Sequence, residues 1–415
     1  MVTLDNEYKF NSLMYADDLI IMSTTLEGLQ KSLDALNGYC KKWKLNINYK
    51  KTKSMVFSKG NNIKKINLTI NSNNIENTKE VKYLGISINS KNCSFMPTLS
   101  DLSSKANKAI YPLLSKIPIK LAPVKTMLKL FDTCITPILL YGSEVWGPFM
   151  NHDWKKWDNT QIEKTHTQFL KRLLGVNRST TNVLVRSELG RHALQDKVAT
   201  RNINYINYIH KKDKHSLVKQ AAVYESFHME RNSLYSLFKK YEQSFTNQDI
   251  NSLSKQKLSK SVREEFDTQW KIQIATFPKA DSYRLFKNNV KYENYLTDIR
   301  NRKQRVSFSK YRLSDHCLMV EKGRHIKPII PRNERFCPSC PTEVEDEIHF
   351  ITQCTAYNNR PNLFNKIESD VPNFLNMDNQ EKFIFLMSQE NKLLMQDIIG
   401  TIHQWLIKRR EHLQL

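Results

Sequence analysis

Residues 12–23 read SLMYADDLIIMS, with two adjacent aspartates, Asp17 and Asp18, between two short apolar runs rich in strand formers. A compact, polar-ended link between two such runs predicts a β-hairpin with the aspartates at its tip. Neighbouring like charges cost free energy unless something compensates them. Solvent does so at an exposed turn, where Asp is an ordinary residue. A divalent cation does so as well, because hard cations take carboxylate oxygens. For the Asp-Asp pair alone the exposed turn is the better reading; the whole YADD between apolar strands shifts the balance toward the cation.

Downstream, Thr24 and Glu27 have capping-box spacing and open a helix over 24–44, with Leu29, Leu33, Leu36, Cys40 and Trp43 on one face. Residues 54–57 read as a strand, and 66–88 as a hairpin or small meander. From about residue 98 the period becomes helical. Leu99, Leu102, Ala106, Ile110, Leu113 and Ile117 share one face. Pro123 opens a second helix with Val124, Met127, Leu128, Phe131 and Cys134 on its apolar side. A further helix carries Trp154, Trp157, Phe169, Leu170, Leu173 and Leu174, and another ends at Gly190. Ile203, Ile206 and Ile209 belong to the next. Residues 247–261 read as a loop, and the closing stretch as an amphipathic helix with cations near its C-terminus.

Several stretches together resemble one family. YADD between apolar strands is similar to the metal-binding hairpin of reverse transcriptases, in particular those of non-LTR (LINE-type) retrotransposons. LNINYKKTKSMVFSK (Leu45 to Lys59) resembles the motif that follows it there. VKYLGISI (Val81 to Ile88) resembles the primer-grip hairpin, and YGSEVWG (Tyr141 to Gly147) with KRLLGV (Lys171 to Val176) the region after the polymerase core. The resemblance implies an α+β fold: a partial palm over 1–95, a mainly helical thumb over 96–210, a basic helical connector over 211–330, and a zinc-knuckle region with a C-terminal helix over 331–415.

It also implies roles. Nucleotide addition to a primer uses two divalent metals held by carboxylates. Asp17 and Asp18 match the hairpin pair of metal ligands, with Mg²⁺ as the cofactor of a complete polymerase. Tyr15 and Ala16 would approach the primer end. Lys51 or Lys53 would stand near the incoming triphosphate, unless the two simply form a solvated turn. Tyr83, Leu84 and Gly85 would form the primer grip. In that family the fingers and the strand bearing the partner aspartate precede the hairpin and need far more chain than the 14 residues before Tyr15. The resemblance therefore implies a fragment of an RNA-directed DNA polymerase that is inactive alone. The alternatives are a catalytically silent nucleic-acid-binding remnant and a host-adopted regulatory protein. The sequence upstream of Met1 would discriminate the polymerase fragment from the silent remnant.

Cys337, Cys340, His349 and Cys354 form C-x2-C-x8-H-x4-C. Zinc takes four N or S ligands in a tetrahedron, and a two-residue spacing suits a tight knuckle turn. The pattern predicts a structural Zn²⁺ and resembles the C-terminal CCHC of non-LTR elements. Glu343, Glu345, Asp346 and Glu347 within it read as solvent-facing, and His316 and Cys317 just upstream as packing residues. The chain's seven cysteines, three of them in this cluster, do not form a disulfide framework.

Charge agrees with a polyanionic partner. The formal net charge is +23, and the last segment, 337–415, is acidic, so the basicity belongs to the middle of the chain. The steepest basic run, Arg300 to Arg335, leads into the cysteine cluster. Arg302, Lys303, Arg305, Lys310 and Arg312 are the expected nucleic-acid contacts within it. The expected partners are an RNA template and a DNA primer or target. No stretch has signal-peptide form or the roughly 20 apolar residues that span a bilayer. A soluble protein of the nucleus or cytoplasm is expected.

Overall fold

The computed structural model describes residues 2–4, 8–57, 66–90, 95–150, 154–228 and 255–411. It has two compact units. One comprises Met1–Lys105, Ile138–Trp157 and Lys197–Ser261; the other Ala106–Pro137, Asp158–Asp196 and Val262–Leu415. The expected boundary near residue 330 falls inside the second. Helix and sheet are mixed, and no helix among the described residues is long and apolar enough to cross a membrane.

The first unit is built from short antiparallel pairs. β1 (Val2–Leu4) pairs β2 (Tyr8–Phe10), and β3 (Ser12–Tyr15) pairs β4 (Asp18–Ile21). The helix Leu26–Trp43 follows. Its N-cap is Thr25, one residue later than expected, with the hydroxyl accepting from Gly28 N–H at 3.1 Å. Leu33 and Cys40 are buried. Trp43 is 59% exposed, contrary to its place on the expected apolar face, because the helix stops there with Lys44 in the left-handed region. Leu33 packs with Leu68, Ile70 and Ile75, and Ile21 and Leu29 lean on this core. The Gln30 amide donates to Thr69 O at 2.8 Å and accepts from Thr69 N–H at 3.1 Å, so it occupies a strand edge as a neighbouring strand would.

The expected strand at 54–57 shrinks to β5 (Lys53–Ser54), which runs parallel to β8 (Glu76–Asn77). Between them β6 (Thr69–Ile70) and β7 (Asn73–Asn74) form a hairpin. The meander ends in β9 (Glu80–Tyr83) and β10 (Ile86–Asn89), paired Tyr83↔Ile86 through Val81↔Ile88. Both two-residue turns, Asn71-Ser72 and Leu84-Gly85, have positive φ at both central positions, as a type I′ turn requires.

The helix Met96–Lys116 buries Leu99, Leu102, Ala106 and Ile110, as its period predicts. The next helix, Val124–Leu130, continues as a π-helical turn, Phe131–Ile135. The wider turn shifts the apolar face by one residue. Phe131 and Ile135 are buried, and Cys134, expected inside, is exposed. The single helix expected around 154–174 is two, Trp154–Asp158 and Gln161–Leu174, divided where Thr160 caps the second through Glu163 N–H. Asn182–Glu188 ends before Gly190 at φ +64°, as expected. Residues 247–254 of the expected loop lie outside the described residues, and from Lys255 the chain is helical to Thr276.

The second unit holds buried charge as well as apolar core. The Glu163 carboxylate is fully buried and accepts from Arg186 Nη1 at 3.1 Å, His166 Nδ1 at 3.0 Å and Leu194 N–H at 2.8 Å. Arg186 also donates to Asp158 at 2.7 Å. Paired buried charges of this kind are tolerated because each finds its counter-ion.

Candidate nucleic-acid and metal sites

The β3–β4 pair places Tyr15 opposite Asp18, leaving Ala16 and Asp17 as the two turn residues. Ala16 has φ +51°. Asp17 is at the tip, while Asp18 is the first residue of β4. Both are exposed, Tyr15 is 67% exposed and Met14 75%. Among the described residues, no group of three or more metal-ligating side chains includes either aspartate. Lys51 is an exposed turn residue, whereas Lys53 is ion-paired to Glu76 on the neighbouring strand.

The tip of the β9–β10 hairpin carries Leu84 and Gly85, and Tyr83 closes the strand before it. The Tyr141 hydroxyl donates to Leu84 O at 2.9 Å. A Cβ on Gly85 would lie 3.0 Å from the Tyr141 ring, so the ring covers the turn. Nothing in the sequence pattern linked these segments, because 57 residues separate them.

The basic helix Arg302–Arg312 is capped by Asn301, whose side chain accepts from Lys303 and Gln304 N–H. Lys303 is exposed; Arg302 and Lys310 are half-buried. Arg305 donates to Ile299 O at 2.9 Å, and burial lowers its pKa. Arg312, expected as a nucleic-acid contact, is 3% exposed. It donates through Nε to Glu188 at 2.6 Å, through Nη2 to Glu293 at 2.8 Å and through Nη1 to Met387 O at 2.5 Å. Its charge is consumed inside the unit.

The cysteine cluster is assembled by a small hairpin and a helix. β11 (Phe336–Cys337) and β12 (Cys340–Val344) bring Cys337 opposite Cys340. Asp346 caps the helix Glu347–Thr352, accepting from His349 N–H at 2.8 Å, which turns His349 and then Cys354 toward the hairpin. The four ligand atoms all lie within 4.8 Å of one another. Cys337 Sγ and Cys354 Sγ are 3.7 Å apart. That is far beyond a disulfide bond of about 2.05 Å. It is the edge, about 3.8 Å, of a tetrahedron with Zn–S bonds of about 2.3 Å. Both His349 ring nitrogens are buried without a hydrogen-bond partner. Buried polar atoms are seldom left so, and the donor set fits a cation such as zinc.

Burial pushes the Cys354 thiol up to about 12, raises Cys337 and lowers His349. Burial acts the same way on Cys340, but hydrogen bonds from the Thr355 hydroxyl and N–H bring its thiol below the ordinary value. Cys317 is outside the group, and His316 is a packing residue that holds Glu347 at 2.9 Å.

The acids of this loop are not all solvent-facing. Glu345 is 1% exposed, pairs with Arg409 and accepts from Met319 N–H at 2.7 Å. Glu347 is also buried; burial opposes its charge, yet His316, Ser282 and Ser314 donate to it and hold its carboxyl at about 2. Of the four, only Glu343 is exposed. Glu345 and Glu347 are met by partners within the fold rather than by solvent.

Residues 2–88 match the reverse transcriptase (RNA-dependent DNA polymerase) family. A probable RNA-directed DNA polymerase from transposon BS of Drosophila melanogaster is 26% identical over 142 residues, which is 32% of this chain. The chain spans 16% of that relative's length. No solved structure matches. At this level the chain is similar to reverse transcriptases and to a transposon-encoded polymerase.

Proposed function

We propose that this chain is a C-terminal portion of a non-LTR retrotransposon reverse transcriptase and binds the primer–template nucleic acid of that enzyme. The observation that carries this reading is the YADD hairpin, exposed at a two-residue turn inside the segment similar to reverse transcriptases. In the complete enzyme Asp17 and Asp18 would hold divalent metal. Tyr83, Leu84 and Gly85 would contact the primer, and Lys51 the incoming nucleotide. The cysteine–histidine cluster would hold one structural zinc beside the basic helix.

A second reading, a silent nucleic-acid-binding polypeptide, is favoured by one fact. Among the described residues no further carboxylate joins the hairpin pair. Two-metal phosphoryl transfer needs both metals held in line with the reacting atoms, and misplacing such groups costs orders of magnitude. Purified residues 1–415 are therefore expected not to extend a DNA primer on poly(rA) with Mg²⁺ or Mn²⁺. Template-dependent incorporation that disappears in Asp17→Ala would refute this and show that a partner or another carboxylate completes the site.

Binding is expected to weaken steeply with salt, because lysines and arginines displace condensed counterions. Replacing Arg302, Lys303, Arg305 and Lys310 by glutamine should reduce the slope of log K against log salt. The reduction is about 0.7–0.9 for each phosphate that is no longer neutralised. An unchanged slope would mean that this helix is only a solvated face. Arg312 is left out because its loss acts on the fold.

A further inference from the structure

The stretch YGSEVWG, Tyr141 to Gly147, has no role in the reading above, yet it sits against the hairpin assigned to the primer. The β9–β10 turn needs positive φ at both central positions, a demand that Asn-Gly meets most easily. Here the first position is Leu84, at φ +46°. That region is unfavourable for a bulky apolar side chain. The turn nevertheless keeps Leu84 and leaves its side chain 37% exposed at the tip.

The compensation comes from the later segment. Tyr141 donates its hydroxyl to the Leu84 carbonyl at 2.9 Å, and its ring lies over Gly85. The next residue, Gly142, is in contact with Ile86: a Cβ there would meet Ile86 Cδ1 at 2.5 Å. The segment is itself anchored. Trp146 Nε1 donates to Tyr141 O at 2.8 Å, and Arg201 Nη1 to Leu140 O at 2.6 Å. A Cβ on Gly147 would meet Val198 at 2.6 Å, so this end packs on the helix Gln195–His210. The tip is therefore fixed by an element outside its own hairpin, and an apolar side chain is held at a strained position facing solvent. Strain that the surroundings maintain is a mark of sites that must present a group in one geometry.

We infer that Tyr141 is a positioning residue: it locks the Leu84-Gly85 turn so that the turn can seat the 3′ end of a nucleic-acid primer. The inference rests on the primer-grip reading, and its test separates the two. Full-length 1–415 and its Tyr141→Phe variant, which keeps the ring and loses the hydroxyl, are compared in two measurements. The first is amide hydrogen exchange of the peptide spanning 81–90. The second is fluorescence anisotropy with a DNA primer recessed on an RNA template, against the same RNA single-stranded.

In Tyr141→Phe, exchange at Ile86, paired with Tyr83 beside the turn, should quicken about five-fold, the equivalent of roughly 1 kcal/mol for one hydrogen bond. Exchange in the helix Leu26–Trp43 should stay as it was. Affinity for the recessed primer should fall by a similar factor, with affinity for the single strand unchanged. Adding Leu84→Asn, which accepts the left-handed region, should restore protection in the Tyr141→Phe background. Unchanged exchange overturns the lock. Faster exchange with undiminished primer preference overturns the positioning role and leaves Tyr141 as a fold contact. If the unmodified chain shows no preference for the recessed primer, the primer-grip reading falls and the positioning role with it. The exchange measurement then still decides whether the lock exists.

Discussion

Purified and reduced, residues 1–415 will carry one Zn²⁺ per chain, and Cys354→Ser will abolish its binding. The ligand atoms of Cys337, Cys340, His349 and Cys354 lie within 4.8 Å of one another, so a cation would meet a largely assembled site. Four protein ligands would leave no open position, so a zinc held by all of them would be structural. The cluster is tied into the second unit rather than hung from it. Glu345 pairs with Arg409 of the helix Lys392–Glu411, and Tyr311 of the basic helix donates to Glu347 O. Loss of the metal should therefore be felt by these helices.

At free zinc a hundred-fold above Kd the linkage is worth about 2.7 kcal/mol. With a shift of about 2–4 °C per kcal/mol for a unit of this size, the midpoint should fall by roughly 5–10 °C on chelation. The sign of the pH effect follows from the thiols. Cys337 and Cys354 are raised in the absence of a cation, so zinc must displace their protons. Affinity should rise with pH from 6 to 8, with proton release on binding. Metal analysis and calorimetry in two buffers measure this. Less than half an equivalent of zinc, or loss of metal in Cys317→Ser as readily as in Cys340→Ser, would reject the ligand set.

The second large effect concerns Arg312. Glu188→Ala will destabilise the second unit by about 3–5 kcal/mol, because it leaves a buried guanidinium short of its main counter-ion. Glu188 accepts from Arg312 Nε at 2.6 Å and from the Tyr283 hydroxyl at 2.9 Å, and all three residues are buried. The Arg312 guanidinium lies 4.5 Å from the Phe286 ring centre. Arg312→Lys should also be costly, since an ammonium cannot reproduce the fork that spans Glu188, Glu293 and Met387 O. Changing both members of the pair to apolar residues should cost less than the sum of the single changes. Urea unfolding of the four proteins measures this; a cost below 1 kcal/mol for Glu188→Ala would show that the pair is not needed. The result also bears on nucleic-acid binding, because an Arg312 variant that loses RNA would be reporting unfolding.

Much of the local structure is legible in the sequence. The YADD hairpin, the YLGI hairpin, the helix ending before Gly190 and the C-terminal helix with Lys408, Arg409 and Arg410 in its last turn all follow from short-range pattern and turn chemistry. The cysteine and histidine spacing likewise named the one cluster of metal-ligating side chains found among the described residues. These features depend on residues a few positions apart, so the sequence alone determines them. Small displacements came from local competition. Thr25 rather than Thr24 caps the first helix, and a π-helical turn carries Cys134 outward.

What only the tertiary structure decided is which polar groups face water and which hold the fold. Arg312 counts as one more cation in a basic run until Glu188, 124 residues away, is brought against it. Glu345 reads as part of an acidic loop until Arg409 neutralises it from 64 residues away. Tyr141 shows no tie to the YLGI hairpin until its hydroxyl reaches Leu84 O. A charge or hydroxyl buried in a protein interior must find a partner, and that partner is chosen by proximity in space. Sequence pattern records the periods of single elements, and it holds no record of which elements meet.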